Sequence, residues 1–530
     1  MNRTRTLFFM IIALALVAVG AGVALNRTTG RPANDALATN TPVPSATPVL
    51  KAPDPIWATS YKAGDGKPTY ICGTDAFASY LTLAQMQVSG ADVAKGFHLG
   101  IVPFQLTNRP EYALTEEQSD ALVGSGQWDC VLNTVDSVAT KGQGVITAIV
   151  DESAGGDGMW ARNIATINDL KGKRISFVKD SSSEYFVYYI LSIARLNSKF
   201  DVRLVPADTP DDAVRAFNEG KSDAVSAWEP QLSRAKTGGG TPLITTSQLR
   251  LIVDAIVTSK QSIAKKPQVV QSFHDAWFDS LKQQAENFDA AAANIVKWGN
   301  NDWSDVKQPN DLRNQLQKIA QADLTANAFV MRDPSALVNR INISRRVWAS
   351  AGVQNSGDKP EDLINPTFVA GSAANQALKA NGSMINSTFS MSSKPDFSGI
   401  NVKGADTLAV LPCREFKFLP DSTTLTLESR RVLDDCVVPT LQQSVGLFLK
   451  VKGSSAWPGP KGTYTDKQIL EFATARGEAV VDYLVAQHKI DKARFVVEGT
   501  LPPKEHWETE NPDVQADDRF VEMVLVTSGR

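Results

Sequence analysis

Histidine and cysteine are scarce in this sequence. Four histidines occur among 530 residues and they are scattered, at His98, His274, His488 and His506. The four cysteines form no C-x-x-C pair, so the usual spacing of a zinc or thioredoxin-like site is excluded. The sequence has no nucleophile–base set and no glycine-rich phosphate motif either. We therefore expect a protein that is not an enzyme and that uses no metal and no cofactor.

A strong charge of either sign is also missing. The formal net charge is −3, and charged residues make up 21% of the chain. This balance provides neither a basic surface for nucleic acid nor an acidic solvating tail, and we expect no nucleic-acid partner. Apolar residues make up 43%, as in folded proteins, and a chain of this length has room for two or three domains.

A long apolar run occurs near the N-terminus. Arg3 and Arg5 precede residues 7–25, LFFMIIALALVAVGAGVAL. As a helix this run spans roughly 28 Å, close to the thickness of a bilayer core. We predict a cytoplasmic tip at residues 1–6, a transmembrane signal anchor at residues 7–25, and the bulk of the chain in the periplasm or extracytoplasmic space. The alternative is a cleaved signal peptide, with Gly22-Val23-Ala24 as its cleavage site.

Export bears on the cysteines and on the segment that follows the anchor. The cysteines fall into two spaced pairs, Cys72 with Cys130 and Cys413 with Cys436. In an exported chain each pair is expected to form a disulfide, and four buried thiols are the alternative. Residues 26–56 are rich in Pro, Thr and Ala, which predicts an extended linker between the membrane and the first folded domain.

Residues 57–355 alternate between two kinds of pattern. Short β-rich runs such as PTYICGT and RISFVKD are followed by amphipathic runs such as FASYLTLAQMQVSG and SEYFVYYILSIARL. This alternation predicts an α/β domain built on largely parallel sheets. Ligands of such sheets bind at the carboxyl ends of the strands.

Several motifs in this region support a family resemblance. They are residues 150–158 (VDESAGGDG), 169–175 (DLKGKRI), 180–185 (DSSSEY), 211–220 (DDAVRAFNEG) and 227–230 (AWEP). Residues 57–355 resemble bacterial solute-binding proteins of nitrate, sulfonate and taurine ABC transporters. The resemblance implies a two-lobed type 2 periplasmic-binding-protein fold, a small-molecule ligand clamped between the lobes, and an ABC permease as a partner.

Polar residues at predicted strand ends are the candidate ligand contacts. The serine-rich turn at the start of a helix suits an oxyanion or a carboxylate, whereas Asp75, Asp136 and Glu229 suit a zwitterion or an organic cation, so the charge of the ligand stays open. Helix capping is the alternative role for the Thr, Asp, Asn and Ser residues. The predicted contacts are Thr74, Asp75, Asn133, Thr134, Asp180, Ser181, Ser182, Ser183, Trp228 and Glu229.

A second linker is predicted at residues 356–405, rich in Ser, Asn, Gly and Ala. Residues 406–530 then read as β-α-β-α-β-β, with strands at 408–418, 447–452, 494–499 and 520–526. A helical region at 425–447 is interrupted by Pro439, and a helix at 466–487 is capped by Thr465.

Together with residues 417–422 (KFLPDS), 473–484 (ATARGEAVVDYL) and 518–522 (DRFVE), this order resembles the OmpA/MotB-like domain, an α+β fold. The resemblance implies that Arg476 and Arg519 bind peptidoglycan. The loop aspartate of that family is missing, since its position falls near Ala456. Asp466 substitutes for it only if the preceding loop folds back, so a purely structural module is the alternative.

These observations predict a membrane-anchored extracytoplasmic solute-binding protein for a small anion or zwitterion. It would act as a transport receptor or sensor, located at the inner membrane and associated with the cell wall. The alternative is an envelope scaffold that binds no ligand and links the inner membrane to peptidoglycan or to partner proteins.

Overall fold

The computed structural model describes residues 50–106, 108–298, 304–378, 405–413, 417–444 and 446–527. The predicted cytoplasmic tip, the predicted anchor at residues 7–25 and most of the first linker lie outside these ranges. No helix within the described ranges is long and apolar enough to cross a membrane.

The strands in the described residues are, in chain order, β1 (Thr69–Thr74), β2 (His98–Pro103), β3 (Cys130–Thr134), β4 (Val145–Ser153), β5 (Asp157–Ala161), β6 (Arg174–Val178), β7 (Arg203–Ala207), β8 (Ala224–Trp228), β9 (Thr241–Thr245), β10 (Val253–Thr258), β11 (Ile319–Gln321), β12 (Thr407–Val410), β13 (Leu447–Ser454), β14 (Phe495–Thr500) and β15 (Val521–Thr527).

The α-helices in the same ranges are α1 (Thr82–Ser89), α2 (Ala91–Ala94), α3 (Glu116–Gly124), α4 (Val135–Lys141), α5 (Ser182–Ile193), α6 (Pro210–Asn218), α7 (Thr246–Leu249), α8 (Lys260–Lys265), α9 (Pro267–Glu286), α10 (Phe288–Lys297), α11 (Pro309–Leu316), α12 (Leu324–Arg332), α13 (Ser335–Ser350), α14 (Thr367–Ala374), α15 (Leu427–Val432), α16 (Val438–Gln443), α17 (Asp466–His488) and α18 (Pro512–Asp517).

The first lobe is built on a six-stranded sheet in the order β11-β4-β10-β3-β1-β2. β1 runs parallel to β2 and β3, and β10 runs antiparallel to β3 and β4. Every residue of β2, β3, β4 and β10 is buried. Continuous burial of this kind is typical of strands that are covered by helices on both faces.

The second lobe repeats the arrangement on a five-stranded sheet, β7-β6-β8-β5-β9. β6 is parallel to β7 and β8, and β5 is antiparallel to β8 and β9. The chain passes from the first lobe to the second between β4 and β5, and it returns between α7 and β10. The predicted two-lobed α/β architecture is therefore present.

Disulfides join both predicted cysteine pairs. Cys72 and Cys130 face each other in the β1–β3 pair with their Cα atoms 4.6 Å apart. Cys413 and Cys436 join the segment after β12 to the helical region that follows, with a Cα–Cα distance of 6.2 Å.

Parts of both predicted linkers, the end of the first one and the beginning of the second one, pack against the first lobe. Within the second one, Leu363, Phe368 and Val369 are buried in the apolar core of the first lobe. Within the first one, Ile56 pairs with Ile101 of β2. Residues 50–56 and 356–378 therefore pack with the first lobe, and residues Thr367–Ala374 of the second segment form α14. Residues 379–404 lie outside the described ranges.

The C-terminal domain has a four-stranded sheet in the order β12-β15-β13-β14, with β13 parallel to β14. The predicted element order is observed, with the short helix α18 added before the last strand, and Thr465 caps α17 through a capping box with Gln468. β12 is shorter than the predicted strand, and a π-helical turn at Leu433–Val437 separates α15 from α16. Gly453 has a structural role, since a Cβ there would lie 1.9 Å from the carbonyl oxygen of Ala473 in α17.

The C-terminal domain packs against the second lobe. One apolar cluster continues from Ile175 and Leu251 of that lobe to Leu411 and Leu441 of the C-terminal domain. The side chain of Asn168 bonds the backbone of Val410 twice, accepting from its N–H at 2.9 Å and donating to its carbonyl at 3.1 Å. The hydroxyls of Tyr189 and Ser444 are also hydrogen-bonded. We call this contact the docking face.

Candidate functional site

A small cavity lies between the lobes where the carboxyl ends of β1, β3 and β8 meet. β10 is antiparallel to β3, so its first residues reach the same edge. This inner cavity has a volume of about 20 Å³ and is lined by Asp75, Phe77, Tyr80, Phe104, Glu116, Leu132, Asn133, Thr134, Asp157, Ser182, Trp228 and Asp254.

A larger outer cavity adjoins it, and the two share Asp75, Phe104 and Trp228. The outer cavity has a volume of about 280 Å³, and its lining adds Ala76, Gln105, Leu106, Asn108, Pro210, Asp211, Gln231, Arg234, Ser304, Asp305 and Lys307. Together the two cavities have room for a small organic molecule.

Five of the predicted contact residues line the inner cavity: Asp75, Asn133, Thr134, Ser182 and Trp228. They come from both lobes, from segments far apart in sequence. The expectation that ligand contacts follow strand ends thus brings these residues to one place.

The other five predicted contact residues line neither cavity, because other structural roles occupy them. The hydroxyl of Thr74 donates to the carbonyl of Asp75, and Asp180 accepts at its carbonyl from Lys141. Ser181 caps α5, the hydroxyl of Ser183 donates to the carbonyl of Ser226, and Glu229 is paired with Lys318 at 2.5 Å. For Ser181 this is helix capping, the alternative to ligand binding.

Three acidic residues of the inner cavity were not among the predicted contacts: Glu116, Asp157 and Asp254. Asp254 stands alone in the apolar run at residues 251–257, LIVDAIV, and a charged residue inside a buried strand is a usable signal. Glu116 is the first residue of α3, directly after the cap Thr115, where an acidic residue is common on helix-dipole grounds. The sequence around Glu116 therefore looks like an ordinary helix start and does not mark Glu116 as a site residue.

Burial dominates the electrostatics of the inner cavity. It raises the pKa of Asp75 to about 7. It also raises the pKa of Glu116, Asp157 and Asp254 well above the usual range, and the negative charges of neighbouring carboxyl groups add to the effect. No Lys, Arg or His occurs among the described residues that line this cavity. The site therefore concentrates carboxyl groups without a matching positive charge.

Hydrogen bonds hold these carboxyl groups in place. Asp75 accepts from the backbone N–H of Phe77 at 2.9 Å, and Asp254 accepts from the hydroxyl of Tyr80. Glu116 accepts at Oε1 from the side-chain amide of Gln105 at 3.0 Å. Each carboxyl is thus oriented by a neighbour on its own lobe.

Ion pairs join the two lobes beside the outer cavity. Arg234 of the second lobe contacts Asp211 at 2.6 Å and also Asp305, which precedes α11 of the first lobe, at 2.5 Å. The Lys318–Glu229 pair bridges the lobes in the same way. Arg234 and Asp305 are more than a third exposed, so this bridge is expected to favour closure by less than about 1 kcal/mol.

Asp75 gives the ligand-free protein a pH-dependent stability. Its pKa is raised from 3.8 to about 7, so between these values the folded chain holds a proton that the unfolded chain has released. The free energy of unfolding is therefore expected to fall with rising pH across that window, by up to about 1.4 kcal/mol per pH unit for this carboxyl. Urea denaturation from pH 4.5 to 7.5 measures the slope, and Asp75→Asn should reduce it by the share of this carboxyl, leaving the share of Glu116, Asp157 and Asp254. Equal slopes in both proteins would contradict the assignment.

A third cavity, of about 490 Å³, lies in the C-terminal domain and brings the predicted residues Arg476 and Arg519 together. It is lined by Pro420, Asp421, Ser455, Ala456, Pro458, Gly459, Thr463, Tyr464, Gln468, Ile469, Phe472, Arg476, Gln515 and Arg519. Asp466, the suggested substitute for the missing aspartate, is not in this lining, whereas Asp421 is.

Arg476 is largely committed to the fold. Its guanidinium donates to the carbonyls of Ser422, Ser454 and Leu419 at 3.1 to 3.3 Å. Burial and the nearby charge of Arg519 lower its pKa to about 10, so it stays protonated at neutral pH. Three of the five N–H groups of Arg476 are engaged in these bonds. Arg476 therefore contributes positive charge to the cavity, and few of its N–H groups are left for a bidentate bond to a ligand.

In the described part of the chain, no group of three or more His, Cys, Asp or Glu side chains is arranged to hold a metal ion.

Part of the chain is similar to known proteins. Residues 115–291 match the family model described as NMT1/THI5 like. A putative aliphatic sulfonates-binding protein of Escherichia coli K12 is 40% identical over 77 residues, which cover 14% of this chain and 24% of the relative. The chain thus spans about a quarter of the length of the curated relative that it matches.

Solved structures align with a larger share of the chain at lower identity. The periplasmic aliphatic sulphonate binding protein SsuA of Escherichia coli is 17% identical, with a TM-score of 0.43, covering 56% of this chain and 92% of that one. The alkanesulfonate-binding protein SsuA of Xanthomonas axonopodis pv. citri, bound to MOPS, is 13% identical, with a TM-score of 0.42, covering 56% and 98%.

Proposed function

We propose that this chain is an extracytoplasmic solute-binding protein that closes its two lobes on a small organic anion or zwitterion and acts as a transport receptor or sensor. The observation that carries the proposal is the pair of adjoining cavities between the lobes, lined by side chains of both. The match to the NMT1/THI5 like family model supports it, because residues 115–291 include Glu116, Asp157 and Asp254 of the inner cavity.

An acidic group on the ligand would lie in the outer cavity. Arg234 and Lys307 are the basic side chains in its lining. Arg234 is paired with Asp211 and Asp305, so a sulfonate or carboxylate would bind its guanidinium in place of one of these aspartates. The names of the sulfonate-binding relatives agree with such a group. The inner cavity is acidic, so we place the acidic end of a zwitterion outward.

Thermal denaturation in the presence of a metabolite library tests the proposal. A specific ligand stabilises the folded state by mass action, by about 2.7 kcal/mol when present at one hundred times its dissociation constant. We expect one chemical class of small molecule to raise the melting temperature of the two lobes. If no anion, amino acid or amine does so, the alternative of an envelope scaffold without a ligand is favoured.

We also propose that residues 7–25 anchor the chain in the inner membrane with the lobes outside the cytoplasm, where an ABC permease is the expected partner. The apolar run and its flanking arginines support this. Mass spectrometry of the N-terminus of the cellular protein distinguishes the anchor from a cleaved signal peptide. A mature chain that begins after Ala24 would rule the anchor out.

For the C-terminal domain we propose association with peptidoglycan through the cavity at Arg476 and Arg519. The two guanidinium groups suit a carboxylate of the wall peptide, and Asp421 offers a negative charge for an amine. In co-sedimentation with purified sacculi, Arg519→Gln is expected to reduce the bound fraction severalfold. Arg431→Gln, on the exposed surface of α15, is the matched control. Equal binding by both variants would favour a purely structural module.

A further inference from the structure

The inner cavity is acidic and buried, and no basic side chain among its described lining residues balances it. Asp75, Glu116, Asp157 and Asp254 are each no more than 8% exposed. Lys141, whose charge acts on Glu116, is already hydrogen-bonded to Asp120 at 2.8 Å. Ionised carboxylates are costly to bury without a partner of opposite charge. A positive charge brought by a ligand would therefore be stabilised at this place.

Buried acceptor atoms at the same place lack donors. Oε1 of Glu116 is bonded by Gln105, whereas Oε2 of Glu116 and Oε1 of Gln105 have no hydrogen-bond partner within the described residues. Both side chains are at least nine-tenths buried, and they line the inner and the outer cavity respectively. Leaving a buried acceptor unpaired is unfavourable, so a ligand that donates N–H groups here gains affinity.

Aromatic rings complete the wall of the inner cavity, from Phe77, Tyr80, Phe104 and Trp228. The faces of such rings attract a cation when it is removed from water. Carboxyl groups, unpaired acceptors and aromatic rings together favour one kind of chemical group, a protonated nitrogen that carries N–H donors.

We infer that the ligand carries a primary ammonium group, and that this group lies in the inner cavity, which has room for one group of that size, against Asp75, Glu116 and Asp254. The inference rests on the proposed function and extends it, since it fixes both the class of the ligand and its orientation. A simple organic anion is disfavoured, because it brings no N–H donor for the unpaired acceptors of Glu116 and Gln105 and no positive charge for the four carboxyl groups. The remainder of the ligand extends past Trp228 into the outer cavity.

Matched pairs of compounds test the inference on the full chain. Each amine or amino acid is compared with an analogue whose nitrogen is replaced by hydroxyl or hydrogen, for example taurine with isethionate, or γ-aminobutyrate with butyrate. We expect the nitrogen-bearing compound of a pair to stabilise the protein against heat. Its analogue without the nitrogen should bind at least tenfold more weakly, as measured by calorimetry. Binding should also release protons, measured as a dependence of the heat on the buffer, because the cation favours the ionised carboxylates.

Two variants locate the nitrogen. Glu116→Gln keeps the shape of the side chain and removes its charge, and it is expected to weaken the best nitrogen-bearing probe at least tenfold. Glu219→Gln makes the same change at an exposed residue of the second lobe paired with Lys221, and should leave affinity unchanged. If analogues without nitrogen bind as well, or if Glu116→Gln binds normally, the inference is overturned while the proposed function stands. Stabilisation by no member of any pair would overturn both.

Discussion

A chain in which alanine replaces both Cys72 and Cys130 is expected to lose about 4 kcal/mol of unfolding free energy. The disulfide closes a loop with a sequence separation of 58 residues, and the chain-entropy relation gives roughly this value for such a loop. It also ties β1 to β3 in the centre of the first sheet, next to Asp75, Asn133 and Thr134. Denaturation in guanidinium, with hydrogen exchange at β1 and β3 as a local probe, measures the loss.

The second disulfide provides the matched comparison. Cys413 and Cys436 are separated by 23 residues, so the corresponding double alanine variant is expected to lose about 3 kcal/mol. Its increased exchange should be confined to the C-terminal domain. If the Cys72–Cys130 variant unfolds at the same denaturant concentration as the native chain, the disulfide is not part of the folded protein in solution.

Arg494→Met is expected to destabilise the C-terminal domain by about 3 kcal/mol or more. The buried guanidinium of Arg494 donates to the carbonyls of Leu441, Ser444 and Leu447 at 2.6 to 3.0 Å. These carbonyls lie at the end of α16 and in the turn into β13, where a helix leaves acceptors without internal partners. Methionine fills most of the volume and leaves the acceptors unpaired, each at a cost of about 1–3 kcal/mol.

The comparison with Arg494→Lys separates charge from geometry. Lysine keeps the positive charge but cannot reach three carbonyls in a fork, so we expect an intermediate loss. Because Ser444 also bonds Tyr189, Arg494→Met should raise hydrogen exchange at α5 of the second lobe as well. A variant as stable as the native chain would show that water replaces the guanidinium at this turn.

Much of the fold follows from patterns that are visible in the sequence. The alternation of β-rich and amphipathic runs predicts the α/β sheets, the family resemblance implies their division into two lobes, and the N-cap residue Thr465 marks the start of α17. The short strand β12 and the π-helical turn at Leu433–Val437 are harder to predict. Their geometry depends on packing against β15 and the second lobe, not on a local period. The resemblance of this domain to the OmpA/MotB-like family stays a prediction.

The sequence predicts where the candidate site lies better than it predicts the acidic character of the site. Strand ends led to Asp75, Asn133 and Thr134, because parallel strands bring their carboxyl ends to one edge. The serine-rich turn suits either ligand binding or helix capping; Ser181 and Ser183 bond the backbone of their own lobe, and Ser182 lines the inner cavity. The acidic character of the cavity depends on which of 57 Asp and Glu residues converge in space, and a single sequence does not give that convergence.

The docking face has a mechanical consequence. The C-terminal domain shares its apolar core with the second lobe, and the two lobes are connected through the crossovers after β4 and before β10. A rotation of the second lobe about those crossovers would carry the C-terminal domain with it, because the two would move as one rigid unit.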